Sequence, residues 1–327
     1  MSNDIAFLAE FADGQPSRSA LELAAGAAEL AKASGGAAVG LAYGPGAKSG
    51  AAGLGAAGAA RAVVLGDAEA PAITFAAAAA AAVKDLQPLA VLAPAAPNGR
   101  DLAAALVGLL DVPAFGPVRS VSVEDGKVRS EQATLQGAVI TVSQPTDDAP
   151  QPAVVLVLAN TFTPLEDGSG SAEVSDAPAA DAGAFGTARV VESHPAEAAV
   201  ANLEEATVIV AGGRGVGSEA GFGPLQELAD ALGGAVGASR AAADAGWVPY
   251  QLQIGQTGKV VKPALYMGIG ISGAIQHRVG MQTAENVVAI NKDPDAPIGE
   301  FADLFVVGDL FAIVPKLTDE IRRRKAR

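Results

Sequence analysis

The residues with chemistry to offer gather in the last third of the chain, where glycine-rich turns alternate with single polar side chains. In "ALYMGIGISGAIQHRVGM", residues 264–281, Gly268, Gly270 and Gly273 stand in G-x-G-x-x-G spacing, and Asp293 lies twenty residues past the last glycine. Between a strand and a helix, that spacing outlines a nicotinamide-dinucleotide fingerprint, in which glycine lets the backbone approach a phosphate. Ser272 is placed to cap the following helix while bonding a ligand oxygen. The motif follows the third strand of its domain, however, whereas the standard fingerprint follows the first.

Two further turns close strands of the same region. "AGGRGVGSEAGF" carries Gly212, Gly213, Gly215 and Gly217 with Arg214 and Ser218 among them, an arrangement in which backbone N–H groups and a cation can share an anion. In "VGASRAAADAGW", Ser239 and Arg240 occupy the strand end where a nicotinamide domain usually holds a ribose-binding acid, so an arginine there leaves NADP open. "QIGQTGKVVKP" resembles a P-loop tail, but Val260 follows the lysine where Ser or Thr is required, so phosphoryl transfer is not supported. Asn291 and Asp309 each follow an apolar strand, placed either to face a ribose or base or to cap a turn. Lys259 and Lys262 are open to a surface-docking role, and His194 reads as structural or exposed.

Composition narrows the chemistry. The chain has no cysteine and two histidines, His194 and His277, which removes thiolate chemistry and disfavours a multi-histidine metal site. A net charge of −14 argues against nucleic acid as a partner. The alanine run Phe75–Val83 ends at Lys84 and Asp85, far short of the about 20 apolar residues of a membrane span, and reads as a buried or half-buried helix. "MSNDIAFLAEF" shows no leader pattern, so a cytoplasmic setting is expected.

These turns must be positioned by the elements around them. The first half alternates apolar runs with alanine-rich stretches, the grammar of crossover units and a parallel sheet with helices on both faces. From about Pro113, "VRSVSVEDGKVRSEQAT", "GAVITVSQ" and "AVVLVLAN" read as strands joined by tight turns, Asp125-Gly126 being a hairpin signal, which predicts an antiparallel extension. Residues 165–185 are acidic and rich in small residues, and read as a mobile loop. After a boundary near 196–204 come strand 206–212, helix 221–232, strands 234–238 and 264–270, helix 273–280, strands 286–290 and 303–307, and a closing helix from about 310. The expected architecture is α/β with two domains: residues 1–198, a parallel-sheet nucleotide-binding-like domain with an antiparallel extension, and residues 199–327, a doubly wound Rossmann- or flavodoxin-like domain.

Taken together, "GASRAAADAGWVP", "QIGQTGKVVKPALYMGIGISGAIQHRVGM", "VVAINKDPDAPI" and "ADLFVVGDLFAIVPKLT" resemble the FAD-binding domain of electron-transfer flavoprotein alpha subunits. The first half is similar to that family's first domain in layout. The resemblance implies FAD as cofactor, held by Arg214, Ser239, Arg240, Ile254, Gly255, Gln256, Thr257, Ser272, Gly273, Ala274, Ile275, Gln276, His277, Asn291, Asp309 and Leu310. It further implies Arg240 against the isoalloxazine ring, Thr257 at flavin N5, His277 donating at the O2 side, and a hinge near the domain boundary.

The implied partners are a beta subunit, where AMP is expected, then acyl-CoA and related dehydrogenases as electron donors and a membrane quinone oxidoreductase as acceptor. Such a protein is an electron carrier in processes such as fatty-acid β-oxidation, not an enzyme with its own turnover. An NAD(P)-dependent oxidoreductase is the alternative, disfavoured because no Tyr-x-x-x-Lys or His–Asp pair is found. A bifurcating flavoprotein is a further alternative, and the threonine of "GQTG" leans toward the simple carrier.

Overall fold

A computed structural model describes residues 2–135, 139–165, 168–192 and 203–325. They form two compact units, one drawn from residues 2–134 and 140–192 and one from residues 203–325 together with Leu135 and Val139. His194 and most of the expected boundary and hinge lie outside the described residues.

In the first unit, β1 (Ile5–Ala12), β2 (Gln15–Pro16), α1 (Arg18–Ser34), β3 (Ala38–Tyr43), α2 (Ala47–Gly50), β4 (Arg61–Gly66), α3 (Ala76–Leu86), β5 (Ala90–Pro94) and α4 (Pro97–Leu110) realise the predicted alternation. There follow β6 (Ala114–Val118), β7 (Ser120–Glu124), β8 (Lys127–Thr134), β9 (Val139–Ser143), β10 (Ala153–Val157) and β11 (Glu173–Asp176). The main sheet runs β11-β4-β3-β1-β5-β10-β6, and these neighbours are all parallel. Because helices cover both faces, its inner strands β1, β3, β5 and β10 are largely apolar on both sides. Ile5, Phe7, Ala9 and Phe11 of β1 meet Leu23, Ala27 and Leu30 of α1, while Ala6 and Leu8 share a second core with Val83 of α3 and Leu102 and Leu106 of α4. The alanine run forms most of α3, half-buried as expected.

Two expectations are corrected here. "AVVLVLAN" supplies β10, a parallel strand between β5 and β6, so the antiparallel extension reduces to the small sheet β7-β8-β9, with β7 and β8 antiparallel around the Asp125-Gly126 turn. The acidic stretch is not wholly a loop: Glu173–Asp176 pairs in parallel with β4, its backbone completing the edge although every side chain faces solvent. Hydropathy cannot register a strand held by backbone hydrogen bonds alone.

The second unit has one sheet and two faces of helices. It comprises β12 (Val208–Gly212), α5 (Gly223–Leu232), β13 (Ala235–Ala238), α6 (Arg240–Asp244), β14 (Leu265–Ile269), α7 (Ile275–Met281), β15 (Asn286–Asn291), β16 (Leu304–Val307) and α8 (Leu310–Lys325). The strand order is β13-β12-β14-β15-β16, all parallel, which in chain order is 2-1-3-4-5. One face packs α5 and α8 through Leu225, Leu228 and Val314; the other packs Ile254, Met281 and Ile298 around Tyr266. In such a sheet the chain winds away from the centre in two directions, and the crevice between the first and third strands is where a ligand fits.

Among the described residues, no helix is long and apolar enough to cross a membrane.

Candidate functional site

The crevice is present. A cleft of about 680 Å³ opens at the carboxyl ends of the second sheet, within the ~300–1,000 Å³ range of small-molecule and cofactor pockets. Its lining comes from the turns after β12, β13, β14 and β15, joined by the loop 253–257 and the first turn of α7.

Glycine makes the floor close. A Cβ on Gly213 would stand 2.3 Å from the Gly270 carbonyl oxygen, and one on Gly215 2.8 Å from Gly270 Cα. The same contact carries hydrogen bonds, Gly213 N–H to Ile269 O at 2.9 Å and Gly215 N–H to Gly270 O at 3.0 Å. Two strand-end turns therefore lock together and fix the backbone on either side of the switch point. The loop after β13 is tied in similarly: Ile254 N–H donates to Ala238 O at 2.9 Å, and Gln256 N–H to Gln276 O at 2.8 Å.

Of the residues expected to hold a cofactor, twelve line the cleft: Arg214, Ser239, Arg240, Ile254, Gly255, Gln256, Thr257, Ser272, Ala274, Gln276, His277 and Asn291. Four stand outside its lining. Gly273 is the turn residue behind it, Ile275 is exposed at the start of α7, Asp309 accepts from Phe311 N–H at 3.0 Å to cap α8, and Leu310 is buried in the apolar core. Ser272 does not cap α7 as expected, since the helix begins later, with Ala274 as its N-cap. Lys259 is not a free docking cation: its Nζ pairs with Glu204 at 3.1 Å.

Polar side chains in the cleft divide into those already engaged and those not. Asn291 is engaged at both ends, donating to Ile271 O at 2.9 Å and accepting from Asp293 N–H at 3.1 Å, so it braces two turns against each other. Gln253, buried and absent from the expected set, donates to Thr257 Oγ1 at 2.9 Å, which leaves the threonine's own O–H to point elsewhere. Arg240 shares its charge with Asp244 at 3.2 Å. Arg214 has no ion-pair partner among the described residues, and Ser218 Oγ accepts from Gly221 N–H in its own turn. Lys292 and Asp293 also line the cleft; the glycine spacing had pointed to the acid, and nothing in the sequence pointed to the lysine.

Among the residues that line the cleft, two buried polar atoms are left without a partner, Ser239 Oγ and His277 Nδ1. His277 is 6 % exposed, and its Nε2 lies 2.6 Å from the Tyr266 hydroxyl. Burial pushes the imidazole pKa down to about 4, against a weaker opposing influence of the Ile254 backbone, so the ring is neutral at pH 7. Burial likewise raises the Tyr266 phenol far above its ordinary value.

A parallel 2-1-3-4-5 sheet with a cleft at its switch point, glycine turns beneath it and unpaired polar groups beside it defines a nucleotide-binding domain. The family comparisons make this particular. Residues 202–282 match the electron transfer flavoprotein FAD-binding domain, and residues 5–182 match the electron transfer flavoprotein domain. The chain is 46% identical over 254 residues to an electron transfer flavoprotein subunit alpha of Mycobacterium leprae, covering 75% of each chain. A Paracoccus denitrificans protein of the same description is 40% identical over 231 residues, covering 71% of this chain and 72% of that one. One from Bacillus subtilis is 62% identical over 122 residues, 37% of this chain and 38% of that one. The chain belongs to the electron transfer flavoprotein family, as an alpha subunit.

FAD fits these residues. The glycine floor admits phosphates, Arg214 offers a cation, and the unpartnered Ser239 Oγ and His277 Nδ1 are buried polar groups of the kind a bound ligand completes.

Proposed function

We propose that this chain holds FAD in the cleft and, paired with a beta subunit, accepts electrons from acyl-CoA and related dehydrogenases and passes them to a membrane quinone oxidoreductase. It has no substrate turnover of its own, and AMP belongs to the beta subunit. The observation that supports this best is the pair of buried, unpartnered polar atoms, Ser239 Oγ and His277 Nδ1, in the lining of one dinucleotide-sized cleft.

Bound FAD supplies the redox chemistry, and the protein tunes its potential and access. Arg214 and the turns after β12 and β14 hold the phosphates. Arg240 places positive charge beside the flavin ring, where added electrons put negative charge. Thr257, its oxygen already accepting from Gln253, keeps its O–H to donate at N5. His277, neutral at pH 7, offers an N–H near O2 without adding a full charge. Gly273, Asp309 and Leu310 act behind the lining, by fixing the turns that carry these groups, and Ile275 stands exposed at the start of α7.

The test is the visible spectrum of the full chain purified with its beta partner. Flavin absorption bands, with FAD released on denaturation, are expected. A colourless preparation that releases nicotinamide dinucleotide overturns the reading.

A further inference from the structure

We propose that Tyr266 is a positioning residue whose hydroxyl donates to Nε2 of His277 and so holds the neutral imidazole with its proton on Nδ1. The two groups lie 2.6 Å apart, and Tyr266 is fully buried near the start of β14, the middle strand of the sheet, with no other side-chain hydrogen bond among the described residues. Either the phenol donates to Nε2, or Nε2–H donates to the phenol oxygen.

Counting orphaned groups separates the two. If Tyr266 donates, a single donor, Nδ1–H, is left without a partner. If the ring donates, the phenolic hydrogen has no acceptor at a site from which water is excluded, and Nδ1 is left as an unpaired acceptor as well. A buried donor without a partner carries its whole desolvation cost, so the first arrangement wins. The Ile254 backbone raises the basicity of the ring, which does not distinguish its two nitrogens, and nothing reaches Nδ1 with hydrogen-bond geometry. The phenol cannot ionise near neutral pH, because burial raises its pKa, so it remains a donor throughout.

The consequence reaches the cleft through rigid parts. Tyr266 sits on the sheet between Ile209 and Val287, and His277 on the first turn of α7, so the bond ties the helix to the strand and fixes the ring's tautomer together. The significance for flavin rests on the cofactor reading above: the proton His277 can offer is then on one defined nitrogen.

Nitrogen NMR of the histidine rings in the full chain, purified with its partner subunit, tests this. Loss of a signal in His277→Gln assigns the ring. At pH 7 the wild-type ring is expected to show protonated Nδ1 and unprotonated Nε2, and Tyr266→Phe to move a measurable fraction of the proton to Nε2. A wild-type proton on Nε2, or an unchanged tautomer in Tyr266→Phe, overturns the proposal. The wild-type measurement stands alone if the variant folds poorly. It reads the ring directly, whereas the visible spectrum reads the occupant of the cleft, so the two proposals fail separately.

Discussion

Both units lay glycine turns at the carboxyl ends of parallel strands, and the two sets of turns behave differently. In the first unit the turns after β1 and β3 press together: a Cβ on Gly46 would stand 2.2 Å from Gly14 N, one on Gly50 2.2 Å from Gly14 O, and one on Gly44 2.5 Å from Phe11 O. There the backbone fills the space at the strand ends. The second unit has the same kind of contact between Gly213 and Gly270, yet Ser239, the 253–257 loop and His277 stand back from it around a cleft. The first unit also has buried unpartnered hydroxyls: Tyr43 packs on Phe75 in the apolar core, with ring centroids 5.5 Å apart, and Thr161 stands alone at a smaller hollow of about 360 Å³ beside α1. Glycine spacing thus reports only that backbones approach closely. Two unpartnered polar groups converging on one large cleft above such turns point to a ligand.

The largest effects should come from forcing a side chain into each kind of turn. Gly46 has φ +79°, and Gly273 has φ +85° in a place where a Cβ would stand only 2.4 Å from Ile298 N. Backbone strain and overpacking together put the cost of Gly46→Ala and Gly273→Ala at about 2–6 kcal/mol each. Denaturant midpoints should fall in both variants, but flavin release at fixed protein concentration should rise only in Gly273→Ala. Equal flavin loss in the two would erase the distinction between the turns.

Acid should separate the units next. Residues 2–192 contain no histidine, whereas His277 has a folded pKa of about 4 against an ordinary 6.5. Between those values the unfolded chain binds more protons than the folded one. The stability contributed by the neutral ring is therefore complete above pH 6.5 and is lost as pH falls toward 4, by on the order of 3 kcal/mol. Urea titrations at pH 7 and 4.5 should show this loss in wild type and a smaller loss in His277→Gln; parallel losses would remove His277 as its source.

A smaller effect is expected at Arg240. A charge about 4 Å from another is worth ~4 kcal/mol at an effective dielectric of about 20, but the Arg240 side chain is 67% exposed and paired with Asp244. Screening reduces the influence to about 1–2 kcal/mol, or tens of millivolts for a one-electron couple. Arg240→Ala should lower the flavin potential and Asp244→Asn should raise it by less. An unchanged potential in Arg240→Ala removes that residue from the ring.

The second unit was legible because its elements are regular. Each strand is a short apolar run closed by a turn, and the strands and longer helices lie within two residues of their expected bounds. The five-residue α6 is not legible, because Ala241–Ala243 looks the same in a turn and in a single helical turn. At the site, lone polar residues in apolar surroundings were visible and their partners were not. His277 stood out, but nothing in a string of residues shows that Tyr266, eleven positions earlier on a strand, reaches it. Gln253 is silent in the sequence for the same reason: its importance lies in a bond to Thr257 that exists only once the loop closes. Local pattern records which groups are present, and tertiary contact decides which of them have already found a partner.

The smallest predicted effect concerns the segment where local pattern failed. Glu173 to Asp176 is polar and exposed, and its ion pair Lys48–Asp176 at 3.4 Å joins two largely exposed side chains. Such a pair is worth about 0–1 kcal/mol, so Asp176→Asn should shift stability by no more than a few tenths. The backbone is another matter. Glu173 N–H donates to Ala60 O at 3.0 Å and Ala177 N–H to Val64 O at 2.9 Å, which brackets the strand with two amides that a mobile loop would leave to solvent. Hydrogen exchange should find both amides protected relative to the amides of Gly168 and Gly170, and Asp176→Asn should leave that protection intact. Uniformly fast exchange from 168 to 177 would return the segment to a loop, and with it the conclusion that this edge is held by its main chain would fall.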